Sequence, residues 1–358
     1  MTAGERFALV GLVMAGVMAG VLTPILRRTA LARGWLDRPN GLKIHRDPMP
    51  TMGGLAIVAA VLATLGALGW AGEGLGLRTT VALAIAALPV VAVSVRDDLL
   101  SCSVAARLAG HATAGLVLYA FGLRVTQLTN PIGPTIELGL ASPLVTVLWV
   151  VTAINAMNLI DGLDGLAAGV AALAALSLAC VGIVRDERDM SVLALALVGA
   201  TAGFLPYNFP RARVYLGDVG STFIGLALGA TALLENRKAT AALTLLLPLI
   251  ALGVPVLDTL LAVVRRTVRG QSPLRGDLGH LHHRLLDLGL PPARAVACLL
   301  AVTAAFGLLA VLLAAADKQT VLSTLLVLAI VVAAALVGLD RLERARTRQP
   351  GLPARAPR

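Results

Sequence analysis

Charge and aromatic rings are scarce in this chain. Of its 358 residues only 14% are charged and 3% aromatic, against about 25% charged in an ordinary soluble domain. That excludes a solvated globule. It also leaves no basic surface interleaved with aromatics, so no nucleic-acid partner is expected. Cysteine is scarce too. Cys102, Cys180 and Cys298 are scattered, odd in number and without a CxxC pair, which argues against both a disulfide framework and a zinc site. A cleavable leader is not expected, because Arg6 alone precedes the first apolar run and that run passes straight into a basic loop. What remains is Ala, Leu, Val and Gly. The chain is 58% hydrophobic with a mean hydropathy of +0.86, as in a multi-pass membrane protein, and small residues let helices approach closely in lipid.

At about 20 apolar residues per crossing, eleven spans are expected. They lie near 7–26, 52–71, 78–95, 104–122, 143–157, 165–184, 190–207, 219–235, 240–264, 293–315 and 320–339. The fold class is therefore all-α and polytopic, with residues 1–340 as a single domain and 341–358 as a basic, disordered tail. With the N-terminus outside, 22 of the 30 Lys and Arg fall on inside segments and 8 on outside segments. The positive-inside rule then sets a cytoplasmic C-terminus. Most of the +10 net charge is accounted for by topology and anionic lipid.

The placement of polar groups on this map is more informative than their number. Asp97 and Asp98 close the third span, and Asn155, Asn158, Asp161 and Asp164 bridge the fifth and sixth. Asn208, Tyr215 and Asp218 join the seventh to the eighth, while Asp258 precedes His280, His282, His283 and Arg284. All are expected on the inner face. The outer acids Asp186, Glu187 and Asp189 read as a plain charged turn. An acid at a membrane interface costs several kcal/mol unless it is used or paired, and adjacent Asp97 and Asp98 call for a cation or a basic partner.

Spacing of three places Asn155, Asn158 and Asp161 on one helical stripe, with Gly162 and Gly165 as interruptions. Oxygen ligands of this kind suit Mg²⁺, or Mn²⁺, and a phosphate-rich substrate that completes the shell. Gly217-Asp218-Val219-Gly220-Ser221 opens a helix whose N–H groups favour an anion; the blander reading is a helix cap. Lys43 and His45 sit in a basic loop leading to Gly53-Gly54, where tight glycines suit a diphosphate and topology alone would also explain the charge. Three of the chain's five His stand at 280, 282 and 283, a set suited to a phosphate clamp or acid–base work.

Together these segments resemble the polyprenyl-phosphate N-acetylhexosamine-1-phosphate transferases. The matching strings are Pro50-Thr51-Met52-Gly53-Gly54, Asp97-Asp98-Leu99, Asn158 through Ala167, Asn208-Phe209-Pro210, Gly217 through Ser221, and His280-Leu281-His282-His283-Arg284. The His-Leu-His-His-Arg pattern, Asn158-Leu159-Ile160-Asp161 and an eleventh span look like the branch that uses GlcNAc-1-phosphate. Pro50 through Gly54 is shared with the phospho-MurNAc-pentapeptide transferases of peptidoglycan synthesis, which stand as the alternative.

The resemblance implies transfer of a sugar-1-phosphate from a UDP-sugar to a polyprenyl phosphate, undecaprenyl phosphate above all, with release of UMP, the active site lying in cytoplasmic loops. It implies Asp218 and Asn158 as Mg²⁺ ligands and Asp97, supported by Asp98, as the base or orienting group. Asp161, Asp164, Asn155 and Asn208 would position the nucleotide, and Tyr215 would stack on uracil. Lys43, His45, the three His and Arg284 would contact phosphates. A homodimer is a family-level expectation. A transporter is the rival from another class, with Asp258 its candidate midplane charge; the acids, however, cluster at span ends and no repeat is evident.

Overall fold

The computed structural model describes residues 3–37, 48–72, 75–128, 134–235, 246–268 and 280–347. Thirteen helices follow in order: α1 (Ala3–Arg33), α2 (Gly54–Trp70), α3 (Leu77–Leu100), α4 (Val104–Ala120), α5 (Ser142–Ile160), α6 (Leu166–Val184), α7 (Arg188–Asn208), α8 (Gly217–Glu235), α9 (Leu246–Ala251), α10 (Gly253–Val268), α11 (Leu281–Asp287), α12 (Pro292–Ala314) and α13 (Lys318–Thr347). Two antiparallel ribbons of two-residue strands interrupt them. β1 (Leu36–Asp37) pairs with β2 (Met49–Pro50), and β3 (Gln127–Leu128) pairs with β4 (Ile136–Glu137).

Among the described residues eight helices are long and apolar enough to cross a bilayer, and α2 and α10 supply shorter apolar segments. The protein is a helical, multi-pass membrane protein. The fifth span, expected over 143–157, runs on to Ile160, and Gly162 and Gly165 lie in the break before α6. The ninth, expected as one run over 240–264, is two helices parted at Leu252; residues 240–245 lie outside the described ones. The tail expected to be disordered from 341 is helical as far as Thr347. Leu342, Glu343, Arg344 and Ala345 are all good helix formers, enough to prolong α13 past the apolar run.

Packing relies on small residues, as expected for helices that gain no hydrophobic drive from meeting in lipid. A Cβ added to Gly199 would stand 2.0 Å from the Leu12 carbonyl oxygen, and one on Gly203 would stand 2.2 Å from that of Gly16. The backbones of α1 and α7 are therefore in direct contact. Gly54 meets Gly220 in the same way, 2.1 Å from an added Cβ to the Gly220 Cα, joining α2 to α8. Helix α8 is the most enclosed of the spans and packs on α2, α3, α5, α6 and α7. The face of α13 from Leu322 to Val337, by contrast, is largely exposed.

One regularity positions the site. The C-terminal ends of α1, α3, α5 and α7 and the N-terminal ends of α2, α4, α6 and α8 all lead into segments around one cavity. Eight alternating helix ends at one place are what an up-and-down membrane bundle delivers to a single face.

Candidate active site

The cavity has a volume of about 660 Å³. Its walls carry six carboxylates, those of Asp37, Asp97, Asp98, Asp161, Asp164 and Asp218, together with Thr51, Asn208, Tyr215 and His283. Pro292, Ala293 and Val296 of α12 add an apolar margin.

The acids are held by different means. Asp97, near the end of α3, accepts from the Cys102 N–H at 2.5 Å and from the Arg107 Nη1 at 2.8 Å. Arg107 is thus the basic partner that the Asp97-Asp98 pair called for. Asp97 is also within hydrogen-bonding reach of the Asp218 carboxyl. Asp98 accepts from the Asp218 N–H at 3.1 Å and, more weakly, from the Val219 N–H at 3.5 Å. The N-terminus of α8 is the kind of site that favours an anion, and here the chain's own carboxylate occupies it. Gly217, at φ +72, makes the turn in close contact with Asp98 and Thr51. The Asp218 side chain is oriented from behind by the Asn158 amide, whose Nδ2 donates to Asp218 Oδ1 at 2.9 Å and to Ser221 Oγ at 3.1 Å.

The break between α5 and α6 forms the cavity floor. Asp161 caps the end of α5 and is half-buried at the wall. Removal from water, and then the charges of Asp218, Asp98 and Asp164, holds its carboxyl well above the usual carboxylate range. Asp164 accepts from the Ala212 N–H at 2.9 Å. Asn208 accepts from the Gly165 N–H at 2.9 Å and donates to the Val214 carbonyl at 3.1 Å, so it ties this turn to the segment before α8. Gly165, at φ +75, lies against Phe209, where a Cβ would stand 2.6 Å from the Phe209 Cβ. Tyr215 keeps its phenolic proton, since burial and then Asp164, Asp37 and Asp161 push its pKa upward.

Gly53 and Gly54 serve a purpose that the sequence does not disclose. Their N–H groups donate to the carbonyls of Tyr215 and Leu216 at 2.9 Å each, and the Tyr215 N–H returns a bond to Pro50 at 2.8 Å. The glycine pair admits protein backbone rather than a diphosphate. The result is to fix Thr51 in the wall.

The histidines divide. His280 Nδ1 donates to Asp258 Oδ2 at 2.8 Å. His282 is buried, its Nε2 is 2.3 Å from a Cβ placed on Gly162, and its Nδ1 has no hydrogen-bond partner among the described residues. Burial, then the charges of His283 and His280, lowers its pKa to about 4 despite Asp258, so the ring is neutral at physiological pH. His283 alone of the three lines the cavity.

Of the residues singled out from sequence, the cavity brings together Asp97, Asp98, Asp161, Asp164, Asn208, Tyr215, Asp218 and His283. Asn158 stands behind Asp218. Asn155 turns away from the cavity, donating to His111 Nδ1 at 3.2 Å and to the Val151 carbonyl at 2.7 Å, so the expected stripe splits residue by residue. His280, His282 and Arg284 lie outside the lining, and Lys43 and His45 lie outside the described residues. Asp37, Ser101 and Arg107 were not anticipated. Arg107 had counted only as a topology charge, and only the helical pairing of α3 with α4 reveals its partner.

A helical membrane protein with an acid-walled cavity at its helix ends is thereby defined, and its relatives make the class specific. Residues 80–236 match the family model of Glycosyl transferase family 4. The chain is 32% identical over 298 residues to the "Probable undecaprenyl-phosphate N-acetylglucosaminyl 1-phosphate transferase" of Bacillus subtilis, covering 83% of this chain and 82% of that one. It is 37% identical over 318 residues to the decaprenyl-phosphate N-acetylglucosaminephosphotransferase of Mycolicibacterium smegmatis, covering 82% and 78%. With the undecaprenyl-phosphate α-N-acetylglucosaminyl 1-phosphate transferase of Escherichia coli K12 it shares 28% identity over 294 residues, covering 79% and 78%. The chain belongs to this family of membrane glycosyl transferases.

Proposed function

We propose that this protein transfers N-acetylglucosamine-1-phosphate from UDP-GlcNAc to a polyprenyl phosphate, undecaprenyl phosphate in the first instance, and releases UMP. The reaction would take place at the cytoplasmic face of a bacterial plasma membrane, in a bundle of about eleven crossings, and would start a cell-envelope glycan. The observation that carries this reading is the convergence of eight helix ends on one cavity with six carboxylates and His283 in its wall. The relatives' names supply the acceptor and the transferred group; the positive-inside asymmetry supplies the sidedness.

Among the described residues no three His, Cys, Asp or Glu side chains form a ready-made metal cage. What the site does offer is two carboxyls in one wall, Asp97 on α3 and Asp218 on α8, that interact side chain to side chain. A pair of acids so placed fits Mg²⁺, which takes one or two protein carboxylates and draws its remaining ligands from phosphates and water. Mg²⁺ held there would neutralise diphosphate charge and make UMP a better leaving group.

The chain's own residues do the rest by positioning. Asn158 holds Asp218 in its rotamer, and Asp98 fixes the start of α8. Asp161, Asp164 and Asn208 shape the floor on which the nucleotide would rest, with Tyr215 beside it. His283 brings an imidazole to the otherwise acidic wall, where it would meet the diphosphate. In the reaction a lipid phosphate oxygen bonds to the β-phosphorus while the bond from that phosphorus to the UMP oxygen breaks. A phosphate monoester anion needs no deprotonation to attack, so Asp97, tied to Arg107 and Cys102, acts here as an anchor rather than as an obligatory base. Phosphoryl transfer asks mainly for such placement and charge stabilisation. The margin of Pro292, Ala293 and Val296 suits a lipid approaching from the bilayer side.

The test is UMP release by purified protein with undecaprenyl phosphate and Mg²⁺, comparing UDP-GlcNAc with UDP-MurNAc-pentapeptide. Release from UDP-GlcNAc alone is expected. Release from the pentapeptide donor alone would move the protein to peptidoglycan synthesis, and release from neither would end the transferase reading for these donors.

A further inference from the structure

Asp258 is a buried carboxylate on α10 that does not line the cavity, and the reaction as described above makes no use of it. Both of its oxygens are nevertheless committed. Oδ2 receives the His280 Nδ1 bond at 2.8 Å, and Oδ1 receives the Leu281 N–H, also at 2.8 Å. One side chain thus holds both the first residue of the histidine segment and the first N–H of α11. From there the contacts run in one direction. The His280 ring stacks parallel to His282, 5.9 Å between centroids and 5° between planes. His282 in turn presses on Gly162, beside Asp161, where no side chain would fit. His283, 4.2 Å from His282, is the member that reaches the cavity wall.

We propose that Asp258 is a positioning residue: through its paired bonds to His280 and Leu281 it sets the pose of α11, so that His283 is presented to the donor diphosphate and His282 supports the Asp161–Gly162 turn. The inference rests on the transferase reading above. Burying an acid inside a bundle is costly unless it is paired, and here both pairings go to the start of one short helix. His280 and His282 are then spacers in a stack, and His283 is the one imidazole that meets substrate. Misplacing a positioned group by about 1 Å can cost about 100-fold in rate.

Because a merely structural acid would also lower activity on removal, the test is a double-mutant cycle. UMP release from UDP-GlcNAc is measured for the wild type, Asp258→Ala, His283→Ala and the double variant, each checked by gel filtration and thermal unfolding. Asp258→Ala is expected to lose about 10- to 100-fold, and the double variant to be no more than about twofold worse than His283→Ala, since groups that act through one another are non-additive. Multiplying losses would overturn the proposal, as would an Asp258→Ala enzyme within about twofold of wild type. If the alanine variant does not fold, Asp258→Asn, which keeps an acceptor for Leu281, and His280→Gln, which leaves Asp258 to hold α11, enter the same cycle with the same two outcomes. A wild type that releases no UMP from UDP-GlcNAc would defeat the GlcNAc-1-phosphate reading, and this proposal with it. A wild type that is active but shows additive losses would defeat this proposal alone.

Discussion

The two ends of the bundle both carry acids, yet they are built differently. At the α6–α7 turn Asp186, Glu187 and Asp189 are neighbours in one short segment. Asp189 lies in the first turn of α7, where a negative charge favours the helix dipole. At the other end the acids arrive singly or in pairs from separate segments, and four of them are locked by groups from elsewhere. Arg107 of α4 holds Asp97, the start of α8 holds Asp98, Asn158 of α5 holds Asp218, and the Ala212 N–H holds Asp164. The number of acids does not distinguish the ends. What does is that one set comes from a single short segment and the other is brought together from separate segments, which focuses charge on a common volume.

This contrast can be broken most sharply at Asp218. Asp218→Asn is expected to lower UMP release about 1000-fold, the scale seen when a preorganised electrostatic group is removed. Asp189→Asn at the opposite end should leave release within about twofold and cost only about 0.3–1 kcal/mol of stability. Equal effects at both ends would mean that acids matter here only for folding. Next in size, His283→Ala should cost about 100-fold in release, within the range for a positioned acid–base or charge-bearing group.

Gly162→Ala probes the same end without touching a charge. Its Cβ would collide with the His282 ring, and release should fall about tenfold as the turn and the ring part company. In the apolar body of the bundle the matching change is Gly199→Ala. There the Cβ meets the Leu12 backbone, which has no rotamer to yield. Thermal unfolding should show a loss of about 1–3 kcal/mol, the usual cost of overpacking, and the protein that remains folded should keep its donor KM.

The smallest expected effect is one of pH. The unfolded imidazole of His282 titrates at 6.5 and the folded one at about 4. As pH falls through that window the unfolded chain binds a proton that the folded chain refuses, so the stability held above pH 6.5 is progressively lost toward pH 4. In metal-free protein His282→Gln should flatten that part of the curve of melting temperature against pH. An unchanged slope would mean that His282 is not shielded as described.

Much of this was legible in the sequence because polar residues stand out in an apolar chain. The helical multi-pass character, the breaks at Gly162 and Gly165, and the gathering of Asp97, Asp98, Asp161, Asp164, Asn208, Tyr215, Asp218 and His283 at one place all follow from periodicity and from which span ends share a face. Less legible was the division of labour. Asn155 and Asn158 occupy one stripe of α5, but a 100° rotation per residue and the neighbours α4 and α8 send one to His111 and the other to Asp218. Gly53 and Gly54 read as a phosphate cradle because close approach looks the same in sequence whether a ligand or the Tyr215–Leu216 backbone approaches. The bond from Asp258 to His280 spans 22 positions, and Arg107 reaches back ten to Asp97. Such partners depend on the register between elements, which a single chain of letters does not carry.

The most direct test of the central claim follows the phosphorus. With UDP-GlcNAc labelled at the β-phosphorus, Mg²⁺ and undecaprenyl phosphate, the label should move to the lipid as a polyprenyl diphosphate sugar, with unlabelled UMP released in equal amount and both signals lost in Asp218→Asn. Label remaining in released UDP would mean transfer of the sugar alone, a different reaction, and would contradict the account.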